Sequence, residues 1–180
     1  MKIEIQDNFL SNYHADFYDD IFNGIREGEN AFPWYFNNNL NDIKSLGNYY
    51  FTHVVLDSKR EDNPHSQNIL NQDLIDIFDP LVSKLHISKN QLKRIKVNMY
   101  PRTQSRVHHQ SHRDYGPNCN MRTCLYYVNT NNGITKFDGT FKFVRSKKNR
   151  AIFFDGSNPH HSTTPTNENY RCSINIDYQL

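Results

Sequence analysis

Arg171-Cys172-Ser173-Ile174-Asn175-Ile176-Asp177-Tyr178 alternates without a break. Cys172, Ile174, Ile176 and Tyr178 fall on one face, and Arg171, Ser173, Asn175 and Asp177 on the other. Strand side chains point to opposite faces in turn, so this stretch predicts a β-strand with one apolar and one polar side. The same alternation recurs upstream. Ile95, Val97 and Met99 alternate with Lys96, Asn98 and Tyr100, and Thr123, Leu125, Tyr127 and Asn129 alternate with Arg122, Cys124, Tyr126 and Val128. Ala151 to Asp155 reads as a short buried run. Turn chemistry separates these segments at Tyr115-Gly-Pro-Asn118, Asn131-Asn-Gly133, Asp138-Gly139 and Asp155-Gly-Ser-Asn-Pro159. Many short, evenly spaced strands imply a sandwich or jelly roll rather than a parallel α/β sheet.

Residues 1–91 are mixed, which makes the chain mainly β with supporting helices. Ile3 and Ile5 alternate with polar residues as a short strand. Ser11 is placed to cap a helix over Ala15 to Ile25, with Phe17, Ile21, Phe22 and Ile25 at helical spacing. Phe32 to Phe36 and Tyr49 to Leu56 read as strands. Leu70, Leu74, Ile77, Phe78, Leu81 and Leu85 form a helical stripe that Pro80 should kink or split. Tyr126 and Trp34 read as core packing. A chain of 180 residues fits one domain with a proper core, despite a mean hydropathy of −0.84. A formal charge of +2 does not indicate a nucleic-acid partner. The run Lys147-Lys148-Asn149-Arg150 reads as a solvated turn before a strand. Three cysteines, an odd number without a CxxC, suit a reducing compartment. No segment approaches the roughly 20 apolar residues of a membrane span, and no signal peptide is read at the start, so a cytoplasmic location is expected.

The chemistry concentrates in His112-Arg113-Asp114, with His160 and Arg171 far downstream. Two histidines and one carboxylate on one face of a metal leave the opposite face open, which suits a non-heme Fe(II) oxygenase. The His-x-Asp pair alone is weak, since this many histidines and aspartates give on the order of one such pair by chance. Its context adds weight: a strand ends at Tyr100-Pro101 just before it, and Arg171 opens the last strand. His160 and His161 are adjacent, and a regular strand can point only one of them inward. Asn158-Pro159 and the spacing to Arg171 favour His160, while the run from His161 to Pro165 fits nearly as well. Arg171 is expensive to bury without a partner, and on an edge strand it would sit in solvent. His108 and His109 read as part of a loop over the site mouth. Arg102, Arg106 and Arg113, in the same stretch, can meet an anionic substrate or stay solvated.

Residues 92–180 resemble the Fe(II)- and 2-oxoglutarate-dependent dioxygenases, especially the prolyl-hydroxylase-like branch. The likeness is carried by His112-x-Asp114, the distal His160, the arginine about ten residues later, and the stretch Thr123-Cys-Leu-Tyr-Tyr-Val-Asn129. Asn131-Asn-Gly-Ile-Thr-Lys-Phe137 is similar to the family's Gly-x-Thr-x-Phe strand. The resemblance implies a double-stranded β-helix (jelly roll) core at 92–180, with 1–91 as an N-terminal helical layer of the same domain. It implies Fe(II) held by His112, Asp114 and His160, 2-oxoglutarate as co-substrate, and O2 as oxidant. Arg171, Tyr127, Tyr100 and Ser173 are the co-substrate contacts by this match. Succinate and CO2 would be released, and a peptide or small molecule hydroxylated. Two other readings remain: a cupin-type metalloenzyme that does not use 2-oxoglutarate, and a non-catalytic jelly-roll binding module. Selectivity would lie in mouth loops at 33–48, 57–66 and 102–111.

Overall fold

In the computed structural model, which describes residues 2–22, 31–38, 49–58, 68–117 and 119–180, the chain begins with strand β1 (Glu4–Asp7) and helix α1 (Asn12–Phe22). It continues through β2 (Tyr35–Asn37), β3 (Tyr50–Asp57), β4 (Ile69–Leu70), a 3-10 turn (Ile75–Phe78) and α2 (Asp79–Leu85). Then come β5 (Leu92–Pro101), β6 (Met121–Tyr127), β7 (Ile134–Phe137), β8 (Phe143–Arg145), β9 (Arg150–Asp155), β10 (His160–Ser162) and β11 (Tyr170–Gln179).

The strands form two antiparallel sheets. The large one runs β1-β9-β6-β11-β5-β3-β2, with β4 beside β3; the small one runs β10-β7-β8. Residues 107–112 continue the small sheet along β10, through His109 N to Ser162 O at 3.0 Å and reciprocal His112–His160 backbone bonds at 2.9 Å. The sheets meet through Leu125, Tyr127, Ile152 and Phe154 of the large one and Phe137 and Val144 of the small one. This is the double-stranded β-helix anticipated above.

The alternation of β11 now acquires a direction. Its apolar face, with Cys172, Ile174 and Ile176, packs in one cluster with Tyr18, Phe22, Phe78 and Leu81 of the helical layer. Its polar face turns into the barrel. A central strand buried on both sides is common, but here the interior side is the polar one, which makes room for a site rather than a greasy core. β11 lies between β6 and β5, so an edge position for Arg171 is ruled out.

Local chemistry explains the helical layer. The Ser11 hydroxyl accepts from His14 N at 3.3 Å, capping α1 one residue before its first turn. The Tyr18 hydroxyl donates to Ile77 O at 3.0 Å, tying α1 to the 3-10 turn. Pro80 falls in the first turn of α2, where its missing N–H costs nothing, so the apolar stripe divides into a 3-10 turn and a short helix. Leu70 departs from the expected stripe: it pairs with Leu56 in β4. Ile25 and most of the proposed mouth loops at 33–48 and 57–66 lie outside the described residues.

The basic turn before β9 is more than a solvated one. Lys147 and Arg150 reach Asp7, at 2.8 and 2.6 Å, and Lys148 reaches Asp16 and Asp19, both at 2.8 Å. Asn149, at a positive φ of 61°, holds the Leu10 backbone from both sides. The turn thereby fastens the N-terminal layer to the barrel. Among the described residues no helix is long and apolar enough to cross a membrane.

Phe78 is fully buried where α1, the 3-10 turn and the large sheet meet. Phe78→Ala should therefore cost about 3–5 kcal/mol in a urea unfolding titration, by lost transfer energy plus a cavity. A loss below about 1 kcal/mol would show that the helical layer does not depend on this ring.

Candidate active site

Three backbone connections bring the site together. The side chain of Asp155 accepts from Ser157 N at 2.8 Å, closing the turn that leads into β10. The carbonyl of Gly156 in that turn accepts from Asp114 N at 3.0 Å and Tyr115 N at 3.1 Å. His112 pairs with His160 through the backbone bonds already described. The His-x-Asp segment and the segment carrying His160 are thus zipped side by side, although 48 positions separate His112 from His160.

Ligand-capable atoms of His112, Asp114 and His160 all lie within 4.8 Å of one another. His160 Nε2 is 3.6 Å from Asp114 Oδ2. His160 Nδ1 faces the Asn158 carbonyl at 2.9 Å, which fixes the ring and leaves Nε2 as the inward lone pair. Burial, followed by the neighbouring His160, pushes His112 down to about 4, so it is neutral near pH 7, as a ligand must be. Burial alone would raise Asp114, but the Arg94 guanidinium and then the two imidazoles hold it well below the usual carboxylate range. Two imidazole nitrogens and one ionised carboxylate at one point fit a divalent ion of the Fe(II) kind. The adjacent histidine faces outward: His161 Nδ1 meets Asp138 at 3.0 Å, and Nε2 meets His108 at 3.3 Å.

A cavity of about 210 Å³ extends from this cluster to Arg171. Arg171 is 1% exposed and no carboxylate among the described residues pairs with it. Its Nε donates to Ser146 Oγ at 2.8 Å, Nη2 to Thr135 Oγ1 at 2.8 Å and Nη1 to Thr163 O at 3.4 Å. The Tyr100 and Tyr127 rings flank it, each with its centroid 5.6 Å from Cζ. Gly133 makes this close packing possible, because a Cβ there would sit 2.7 Å from Arg171 Cδ. Thr135, two residues on, also accepts from the Tyr127 hydroxyl at 2.8 Å. Phe137, two further, packs its ring against His160 at 6.0 Å. One face of β7 therefore serves both ends of the cavity.

Tyr100 and Ser173 line the cavity beside Arg171. Tyr127 does not; it stands behind Thr135, fully buried. His109 lines the cavity, its ring tilted against Tyr100 with centroids 4.7 Å apart, whereas His108 is on the outer face, so the two do not act together. Arg113 lines the rim and donates to Ser157 O; Arg102 and Arg106 are exposed.

Sequence reading missed the other inward residues. Arg94 bridges two carboxylates, with Nη2 2.6 Å from Asp114 and Nε 2.6 Å from Asp177. Burial, with Asp114 nearby, raises Asp177, while Arg94 and the Thr123 hydroxyl, which donates to it at 2.7 Å, stabilise its ionised form. Lys96, Asn98 and Asn175 also line the cavity. Burial, then the charge of Arg94, pushes Lys96 down to about 8. The alternation of β5 and β11 marked all of these as one face; nothing local said that this face turns inward.

No protein-family model matches the sequence, and no curated protein matches it in sequence. Solved structures match in fold. A prolyl-4-hydroxylase from Pseudomonas putida superposes with a TM-score of 0.60 at 13% identity, over 99% of this chain and 92% of that one. A 2OG-Fe(II) oxygenase family oxidoreductase from Burkholderia pseudomallei gives 0.60 at 10% identity, over 98% and 85%. A prolyl hydroxylase from Trichoplax adhaerens, in complex with a hypoxia inducible factor peptide fragment, gives 0.50 at 17% identity, over 98% and 83%. The fold is that of the prolyl-hydroxylase-like 2-oxoglutarate oxygenases.

Removing Arg94 would leave Asp114 and Asp177 buried beside each other without their shared cation. Arg94→Met should lower stability by about 3–5 kcal/mol in urea denaturation. An unchanged midpoint would mean that water, not Arg94, compensates these carboxylates.

Proposed function

We propose that the chain is an Fe(II)- and 2-oxoglutarate-dependent dioxygenase that uses O2 to hydroxylate a peptide or small-molecule substrate, releasing succinate and CO2. One observation carries the reading: a two-histidine, one-carboxylate cluster and a buried arginine with no acidic partner among the described residues face the same cavity. A cupin-type metal site accounts for the cluster but leaves the buried guanidinium unexplained. A non-catalytic module accounts for neither.

In this reading His112, Asp114 and His160 hold the metal and Arg171 takes the far carboxylate of 2-oxoglutarate. Bound there, ferrous iron supplies the O2-dependent oxidation of a C–H bond coupled to decarboxylation of the keto acid. The protein's own groups supply position. Arg171 presents a planar fork suited to a carboxylate. Ser173 and Tyr100 are placed to add hydrogen bonds at the same end, while Tyr127 and Thr135 orient the guanidinium from behind. The Asp177–Arg94 pair fixes the rotamer of Asp114, and the ring of Phe137 shields His160 from water. We read residues 1–180 as one catalytic domain, since β1 and β3 of the first half pair with β9 and β5 of the second. Three free thiols fit a reducing, cytoplasmic setting.

His160→Ala and Asp114→Ala should each abolish Mn(II) binding and Fe(II)-dependent succinate release, whereas His161→Ala should retain both. Equal losses at 160 and 161 would contradict the ligand assignment. Arg171→Met should raise the 2-oxoglutarate KM roughly 10- to 100-fold, the worth of charged hydrogen bonds of about 1.5–3 kcal/mol. An unchanged KM would remove Arg171 from this role.

A further inference from the structure

Among the described residues, Lys96 is the one lysine that lines the cavity. It makes no hydrogen bond or ion pair with any described residue; its ammonium lies 5.5 Å from the centre of the Tyr50 ring. The other cations of the lining are accounted for. Arg94 is neutralised by Asp114 and Asp177, Arg113 donates to a backbone carbonyl at the rim, and Arg171 serves the far end. Lys96 is near enough to feel the charge of Asp114 and to disfavour protonation of His112, which puts it toward the metal end.

Directly across the strand pair from Lys96 stands Asn175. Opposed side chains on one face of an antiparallel pair lie about 4.5–5.5 Å apart at Cβ. The Asn175 carbonyl oxygen accepts from Asn98 Nδ2 at 3.2 Å, which leaves the amide N–H groups of this cavity-lining residue unengaged among the described residues. An ammonium and an amide donor, side by side and without acceptors among the described residues, match the two oxygens of a carboxylate.

We propose that Lys96 and Asn175 form a second carboxylate-binding pair in the cavity, distinct from Arg171. The inference rests on the dioxygenase reading. The carboxylate has two possible sources: the head group of the co-substrate, or an acid group on the molecule being oxidised, which would then be a small acid such as a free amino acid. A cavity of about 210 Å³ that must also hold the co-substrate favours a small molecule or a single side chain over a larger group.

The test uses the full chain loaded with Mn(II). Calorimetry measures 2-oxoglutarate binding to wild type, Lys96→Met and Asn175→Asp; the last variant supplies the pair with a carboxylate from the protein itself. The 2-oxoglutarate complex is then titrated with a panel of L-amino acids, each as free acid and as primary amide. A tenfold or greater weakening of 2-oxoglutarate in both variants assigns the pair to the co-substrate head. Unchanged 2-oxoglutarate binding, with a tenfold preference for an acid over its amide that both variants abolish, assigns it to the substrate. The proposal fails if 2-oxoglutarate binds both variants within twofold of wild type and wild type shows no acid preference that the variants lose. Should one variant not fold, the other decides on the same criteria. If wild type binds no 2-oxoglutarate, the dioxygenase reading fails separately, and acid-against-amide binding to the Mn(II) protein judges Lys96 alone.

Discussion

A guanidinium sealed between two sheets costs several kcal/mol unless something answers its charge. Among its described residues this barrel contains two, and it treats them differently. Arg94 is held between Asp114 and Asp177, so its cost is met by the protein and its position is rigid. Arg171 has, among the described residues, neutral oxygens and two aromatic faces around it. Neutral acceptors satisfy its donors without cancelling its charge. The contrast separates a cation neutralised by protein carboxylates from one held by neutral groups, and it gives the cavity its polarity.

Such an interior is sustainable because the hydrophobic core has been moved elsewhere. The apolar faces of β5 and β11 pack outward against α1, the 3-10 turn and α2. A second apolar cluster, around Tyr127, Phe137 and Phe154, closes one part of the space between the sheets. Together they stabilise a fold whose central space stays polar. The N-terminal layer is therefore no ornament, since without it the apolar side of the large sheet would meet water.

Much of this was legible in the chain. Alternation located β5, β6 and β11 to within a few residues, the apolar run at 151–155 located β9, Ser11 marked where α1 begins, and Pro80 marked where the second apolar stripe divides. The Gly-x-Thr-x-Phe likeness at 133–137 pointed to a strand whose three residues prove to touch Arg171 or His160. Other features were not legible, for identifiable reasons. Leu70 continues a helical stripe by spacing, yet pairing with Leu56 draws it into a strand, because tertiary contacts override a weak local pattern. The basic turn at 147–150 looked solvated, since its partners Asp7, Asp16 and Asp19 are more than a hundred positions away. Lys96 and Asn175 carry no motif at all; they matter only as cross-strand neighbours.

By itself, the sequence determined the period of each strand, the residues that share a face, and the small set of side chains able to bind a metal or an anion. Period two gives faces but not a direction: it cannot say which face meets solvent, which a partner sheet, and which a cavity. Only the tertiary structure decided that, by covering one side with helices and the other with the small sheet. It also decided between His160 and His161, because the backbone pairing of His112 with His160 fixes the pleat of β10 and points one ring inward and the next one out.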